Sequence, residues 1–284
     1  MNMLPLHKRT AILKCLLDGN SLRATGRITG TAKQTVCRLF EDAAGVALRE
    51  QDRLLRNIRC ERLELDEIWS FVYAKAKTVR RRPVSSPDAG NVWTWIAFDP
   101  DTKLAPCWCI GDRTTRTAEQ FIGDLRQRVN PDIQITTDGY APYLWPVDYH
   151  FGGSADFAQL VKQYDERGHY AGAEKTIISG DPDMDKVSTS GVERFNLTLR
   201  MSARRFTRET NAYSKKLRNH ELAVALMMLH YNFMRRHDTI GAVPGVAAGV
   251  IEAAWTVERL ADMAVAVRPK PNRPKRYRKR AAVA

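Results

Sequence analysis

The spacing of apolar residues changes near Leu63, and this change most constrains how the chain folds. Before Leu63 the apolar residues recur every three or four positions, as they do on one face of a helix. After it they form strand-like runs interrupted by one helical stretch. We predict strands at 63–72, 92–98, 104–110 and 133–136, and a helix at 115–128. This order of elements is typical of an α/β fold, in which helices flank a mixed sheet.

The residues before Leu63 predict a small helical domain at 1–45, followed by a linker helix at 46–62. The turns between its three helices are expected at residues 18–20 and at Gly30, with Ser21 and Thr31 as N-caps. The pattern is that of a helix-turn-helix DNA-binding domain, although a plain helical bundle with a solvated basic face has the same pattern. The third helix carries donors for base edges and phosphates at Lys33, Gln34, Thr35 and Arg38.

The rest of the chain divides into a larger domain and two C-terminal segments. The larger domain is predicted at 63–240, with an irregular insertion at 148–190 that contains some helix near 157–164. Two helices, at 192–205 and 212–236, close it. A helical extension is expected at 241–267. The last segment, 268–284, is a basic tail broken by prolines, which we expect to be disordered until it meets an anion.

The net charge of +13 indicates an anionic partner, and the excess of Lys and Arg is concentrated in three blocks. These blocks are 1–62, 194–218 and 268–284. No stretch approaches the roughly 20 apolar residues needed to cross a bilayer, so we expect a cytoplasmic protein without a membrane partner. The five cysteines include no CxxC pair, so no zinc site is expected.

Three acidic residues occupy positions where ligand sites commonly form. Asp66 lies inside the first predicted strand, where a half-buried carboxylate costs free energy unless it is paired or metal-bound. Asp138 ends the fourth strand, and Glu193 begins a helix. Asn196 and Arg200 share the helix face of Glu193, which suits a metal ion and a phosphate. Clustered carboxylates of this kind suit phosphodiester cleavage with two metal ions.

Each carboxylate also has a purely structural interpretation, and spacing alone leaves both interpretations open. Asp66 could pair with a buried arginine, Asp138 could be an ordinary turn aspartate, and Glu193 could simply favour a helix N-terminus. Glu67 follows Asp66 and should point to the opposite face of the strand, so we exclude it as a metal ligand.

Three sequence blocks, taken in order, resemble one known family. LDEIWSFV, then TDGYAPY, then VERFNLTLR followed by MSARRFTRETNAYSKK closely resemble the catalytic domain of insertion-sequence-one transposases. The resemblance covers about residues 63–255. The chain differs from compact members of the family because Asp138 and Glu193 are farther apart, at 55 positions. It differs from many relatives because it lacks an N-terminal zinc finger.

The resemblance implies a ribonuclease-H-like fold with a five-stranded mixed sheet and a DDE triad. Asp66, Asp138 and Glu193 would then hold two Mg²⁺ or Mn²⁺ ions per active site. The partners would be double-stranded DNA, both the terminal inverted repeats of the element and the target, bound by at least a homodimer near the bacterial nucleoid. Asn196 and Arg200 would contact DNA, Arg200 at its backbone, and the same phosphate-binding surface would continue through Arg204, Arg205, Arg208, Lys215 and Lys216.

Three other functions remain open at this stage. One is a DNA-binding regulator that has kept the fold of a transposase but lost its chemistry. Another is a ribonuclease-H-like nuclease, which shares the metal ions but has less need of a helix-turn-helix. The third is a membrane-surface protein, which would need an amphipathic anchor that the sequence lacks.

Overall fold

The computed structural model describes residues 4–266, so the predicted basic tail at 268–284 lies outside the described residues. Within this range the helices are α1 Leu6–Leu17, α2 Leu22–Thr29, α3 Lys33–Leu54, α4 Ala76–Arg81, α5 Thr115–Arg126, α6 Leu144–Phe151, α7 Ser190–Ser202, α8 Leu217–Phe233, α9 Pro244–Ala247 and α10 Val257–Ala266. The strands are β1 Arg62–Val72, β2 Gly90–Phe98, β3 Cys107–Gly111, β4 Ile133–Thr137, β5 Ala155–Tyr164 and β6 Tyr170–Ser179.

The strands form one mixed sheet in the order β3-β2-β1-β4-β5-β6. β1 and β2 are antiparallel, with Asp66 opposite Ile96, and β3 continues this antiparallel half. β4 and β5 run parallel to β1, with Leu63 opposite Ile135. β6 is an antiparallel edge strand. The predicted fold class, an α/β mixed sheet with flanking helices, is confirmed, although the sheet has six strands rather than five.

The predicted insertion at 148–190 was wrong in its secondary structure, because this region supplies two strands of the sheet. Apolar residues at 157, 160, 161 and 164 have helical spacing, which by itself favours a helix. Instead Phe157 lies beside Ile135 of β4, and β5 continues the parallel half of the sheet. Pairing with the neighbouring strand therefore outweighs local spacing, as is common for short apolar runs.

Alternation along β1 separates its side chains between two helical layers. Ile68 points with Ile96 into a cluster that includes Val192 and Phe195 of α7. Leu65 points the other way, into the cluster that contains residues of α5 and α6. Asp66 therefore faces the α7 layer, whereas Glu67 faces the α5 layer, as its predicted opposite orientation requires.

The helical N-terminal region differs from the prediction in its third helix. One uninterrupted helix, α3, replaces the third predicted helix and the linker helix at 46–62, because its buried residues keep helical spacing across Gly45. The chain from Leu55 to Glu61 is not helical. Ser21 caps α2 as predicted, by accepting from Ala24 N, and Gly30 ends that helix in the left-handed conformation. Thr31 is not an N-cap, since α3 begins after Ala32 without a side-chain cap.

The N-terminal helices pack onto the C-terminal ones rather than standing apart from the sheet. Gln51 on α3 donates to the backbone oxygen of Ala225 on α8 at 3.0 Å. Arg9 on α1 pairs with Asp262 on α10. The buried residues of these helices belong to the same cluster as those of the sheet. This packing fixes the direction of α3 relative to the sheet. None of the helices at 4–266 is long and apolar enough to cross a membrane.

Candidate active site

The three predicted acids come from three separate elements that meet near the β1–β4 pair. Asp66 lies in the middle of β1, Asp138 directly follows β4, and Glu193 lies in the first turn of α7. Because β1 and β4 are parallel neighbours, Asp138 emerges next to the strand that carries Asp66. Helix α7 crosses the same face of the sheet as Asp66. The fold therefore brings together residues that are up to 127 positions apart in sequence.

Asp66 is held by two hydrogen bonds and by no arginine within the described range. Its Oδ2 accepts from Asn196 Nδ2 at 2.8 Å, and its Oδ1 accepts from the backbone N–H of Glu67 at 2.8 Å. Burial, followed by the charges of Asp138 and Glu193, raises the pKa of Asp66 to about 6. Both other acids are thus within electrostatic reach of Asp66, and their repulsion favours a bound cation.

A carboxylate absent from the sequence predictions holds α7 in place. Glu64 is buried, and its Oε2 accepts from the backbone N–H of Val192 at 2.8 Å, at the start of α7. Such a bond satisfies an N–H group that the first helical turn leaves without a partner. Burial raises the pKa of Glu64 to about 7. Its spacing of two residues from Asp66, on the same strand face, was the available sequence signal.

Glu193 is bound by neighbours on both sides. Both of its carboxylate oxygens lie 2.5 Å from Lys162 Nζ on β5, and Oε1 also accepts from Thr189 Oγ1 at 2.7 Å. Lys162 falls in the segment that the sequence predicted as an insertion, so nothing local connected it with Glu193. The contact depends on the pairing of β5 with β4 in the parallel half of the sheet, which brings Lys162 close to Glu193.

Asp138 is held by the turn that it begins and by an arginine. Its Oδ1 accepts from Tyr140 N at 3.0 Å, and its Oδ2 lies 3.8 Å from Arg113 Nη2. The Arg113 guanidinium stacks over the Tyr140 ring at 3.9 Å and donates to Glu67 Oε2 at 3.0 Å. Burial, followed by the charges of Asp138 and Asp66, raises the pKa of Glu67 to about 7. Arg113 thus offsets charge on the α5 side of the site.

The donor set has the chemistry of a Mg²⁺ or Mn²⁺ site, since all three side chains offer hard carboxylate oxygens. The buried Oδ1 of Asn196 accepts no hydrogen bond from the described residues, so a further oxygen is available beside Asp66. As they stand, however, no three acidic, histidine or cysteine side chains within residues 4–266 are close enough to hold a metal ion together. Glu193 and Asp138 instead face Lys162 and Arg113.

Most residues predicted to bind DNA are at the surface, but Asn196 is buried beside Asp66. Lys33, Gln34 and Arg38 are exposed on the first turns of α3, and Thr35 is half-buried. Arg200 is half-buried, and its Nε has no hydrogen-bond partner within the described range. Among the residues predicted to bind DNA in the second basic block, the exposed ones are Arg204, Arg208, Lys215 and Lys216.

Arg205 differs from these exposed residues because its guanidinium is engaged within the protein, and its role in DNA binding stays a prediction. Its guanidinium donates to Ser214 Oγ at 2.5 Å, and burial lowers the pKa of Arg205 to about 10. A short 3₁₀ turn, Arg204–Phe206, orients Arg205 inward while Phe206 enters the core. Neighbouring basic residues therefore have different environments, which a charge count cannot distinguish.

Comparison with known proteins supports the resemblance seen in the sequence blocks. The insertion element iso-IS1n protein InsB of Shigella dysenteriae is 24% identical over 170 residues, which cover 60% of this chain and 95% of that protein. This similarity confirms that the chain is related to insertion-sequence-one proteins. No family model matches the chain.

Two solved structures of Mos1 transposase share a weaker likeness. A paired-end complex with the left transposon end is 15% identical, with a TM-score of 0.23, over 55% of this chain and 60% of that chain. A pre-cleavage transpososome is 11% identical, with a TM-score of 0.32, over 94% and 80% of the two chains. Neither structural match is close enough to support a conclusion about this chain.

Proposed function

Because the chain is a relative of insertion-sequence-one proteins, we propose that it is a DNA transposase whose active site is formed by Asp66, Asp138 and Glu193. One observation carries the proposal. Three carboxylates from separate elements converge at the β1–β4 junction, where burial and the charges of the other two acids raise the pKa of Asp66 to about 6. Asp66 is buried within electrostatic reach of the other two acids and pairs with no arginine in the described range, which favours a cation-binding over a purely structural role.

The three acids would hold two Mg²⁺ or Mn²⁺ ions, which would supply Lewis-acid stabilisation of the phosphate and an activated water. Asn196 fixes the orientation of Asp66 through its 2.8 Å hydrogen bond. Glu64 anchors the start of α7 and thereby places Glu193. Positioning of this kind contributes much of the rate of phosphoryl transfer, because the protein itself does little covalent chemistry.

In the proposed reaction, water first cleaves a phosphodiester at the element end and leaves a free 3′-hydroxyl. That hydroxyl then attacks a phosphodiester of target DNA, forming a new O–P bond while the target's own 3′ oxygen leaves. The number of phosphodiester bonds is unchanged in this second step, so it needs no external energy source. No covalent enzyme intermediate is involved.

DNA would be bound by two surfaces of the chain. The exposed start of α3 would read the element end, which corresponds to a DNA-binding domain at about 1–45 that precedes the catalytic domain. The second surface would contact phosphates near the cleaved bond through Arg200, Arg204, Arg208, Lys215 and Lys216. Synapsis of two element ends would require at least a homodimer.

Joining of a pre-cut DNA end separates this proposal from its rivals. The substrate is a duplex that carries the terminal repeat flanking this coding sequence and already ends in a free 3′-hydroxyl, and the target is a supercoiled plasmid. A transposase joins the two with Mg²⁺ or Mn²⁺. A plain nuclease would nick the plasmid without joining, and a regulator would bind the end without changing either DNA. Either of these last two results would contradict the proposal.

A further inference from the structure

Lys162 forms the closest ion pair in the candidate active site. Its ammonium lies 2.5 Å from both carboxylate oxygens of Glu193, and the two side chains are 35% and 40% exposed. Thr189 donates to one of the same oxygens. Both oxygens of Glu193 are therefore in contact with protein donors.

This arrangement places a cation inside the group of acids that would bind metal. Lys162 lies on β5, with only β4 between it and the strand of Asp66, and its charge also acts on Asp66. An ammonium and a divalent cation cannot both occupy the oxygens of Glu193, because like charges at that distance repel strongly. Metal binding by Glu193 thus requires the ammonium to move away.

We propose that Lys162 is a positioning residue that holds Glu193 while no metal is bound and opposes metal binding until it is displaced. The inference rests on the proposed function, since it concerns the same carboxylate. The lysine is about one-third exposed, so its released ammonium enters solvent and leaves no buried charge unpaired. The ion pair consequently sets the metal concentration at which the site fills.

The test measures Mn²⁺ binding to the full chain without DNA, by the loss of the free-ion signal in electron paramagnetic resonance. Lys162→Met removes the charge and keeps most of the apolar stem, whereas Lys162→Arg keeps the charge. Lys175→Met is the matched control, because Lys175 lies on adjacent β6 and donates to the backbone of Met184 rather than to an acid of the site. Glu193→Gln reports whether the measured site involves Glu193 at all.

We expect Lys162→Met to lower the half-saturating Mn²⁺ concentration about fivefold, the change typical of losing a partly exposed ion pair. Lys162→Arg and Lys175→Met should bind Mn²⁺ as the wild type does. A lysine that only stabilises the fold would leave half-saturation unchanged in Lys162→Met, and this result, or weaker binding, would overturn the inference.

The Glu193→Gln variant separates failure of the inference from failure of the proposed function. If Glu193→Gln weakens Mn²⁺ binding while Lys162→Met does not tighten it, the metal site stands and the role of Lys162 is refuted. If the wild type and Glu193→Gln bind Mn²⁺ equally, the proposed metal site is itself wrong, and the inference falls with it.

Discussion

Replacing Glu64 with glutamine should stabilise the protein increasingly as the pH rises. Glu64 is buried against the start of α7, and burial raises the pKa of its carboxyl from 4.5 to about 7. A carboxyl with a raised pKa in the folded state favours folding most when it is protonated, below about pH 4.5. That contribution is lost as the pH rises towards and through 7, because the unfolded chain ionises first.

The two pKa values give the size of this effect. Between pH 5 and pH 8, ionisation of Glu64 should lower the free energy of unfolding of the wild type by about 2 kcal/mol. Glutamine keeps an oxygen that can accept from Val192 N but carries no charge. The stability of Glu64→Gln relative to the wild type should therefore rise by about 2 kcal/mol over that pH range.

Urea unfolding at pH 5, 6, 7 and 8, with a chelator to remove metal ions, measures this difference directly. Glu64→Ala serves as a second variant, because it removes the acceptor as well as the charge and leaves a buried N–H without a partner. At pH 5 it should be destabilised by about 2 kcal/mol. A difference between Glu64→Gln and the wild type that stays constant, or that falls as the pH rises, would refute the reasoning.

Three further predictions concern other parts of the molecule. Burial, followed by the charge of Arg205, lowers the pKa of His220 to about 3. The wild type should therefore lose stability relative to His220→Gln as the pH falls from 6.5 towards 4. A difference in free energy of unfolding between the two proteins that stays constant with pH would contradict this. Asn196→Ala should slow DNA cleavage about tenfold, because Asp66 loses a hydrogen bond to its charged form, and an unchanged cleavage rate would argue against this role. Arg38→Ala should reduce the slope of log binding constant against log salt concentration by about one phosphate contact. Lys14→Ala, which removes a lysine of α1 that pairs with Glu258, should leave that slope unchanged. Equal slopes for the two variants would contradict a role of α3 in DNA binding.

Sequence patterns predicted the elements that depend on local residues. The alternating run of β1, the helical spacing of α5 and the Gly30 turn are each determined by residues within a few positions, and the structure has all three. Asp66 was identifiable because a carboxylate inside an apolar strand conflicts with its surroundings. The predicted orientation of Glu67 followed from strand alternation alone.

What sequence reasoning missed depends on contacts between distant parts of the chain. β5 has helical spacing of apolar residues and became a strand only by pairing with β4. Lys162 contacts Glu193 across 31 positions, and Glu64 binds Val192 across 128, so neither contact could be predicted from a local pattern, although the spacing of Glu64 from Asp66 marked it as a residue of the same strand face. Arg205 is adjacent to exposed Arg204, and the 3₁₀ turn Arg204–Phe206 that contains both residues directs Arg205 inward.

The central claim is that Asp66, Asp138 and Glu193 act together as one metal-dependent active site. The most direct test compares Mn²⁺-dependent cleavage of element-end DNA by the wild type with cleavage by Asp66→Asn, Asp138→Asn and Glu193→Gln. Asp132→Asn, an exposed acid before β4, is the matched control. We predict that each of the three substitutions abolishes cleavage while DNA binding persists, and that Asp132→Asn cleaves normally. Normal cleavage by any of the three substituted proteins would contradict the claim.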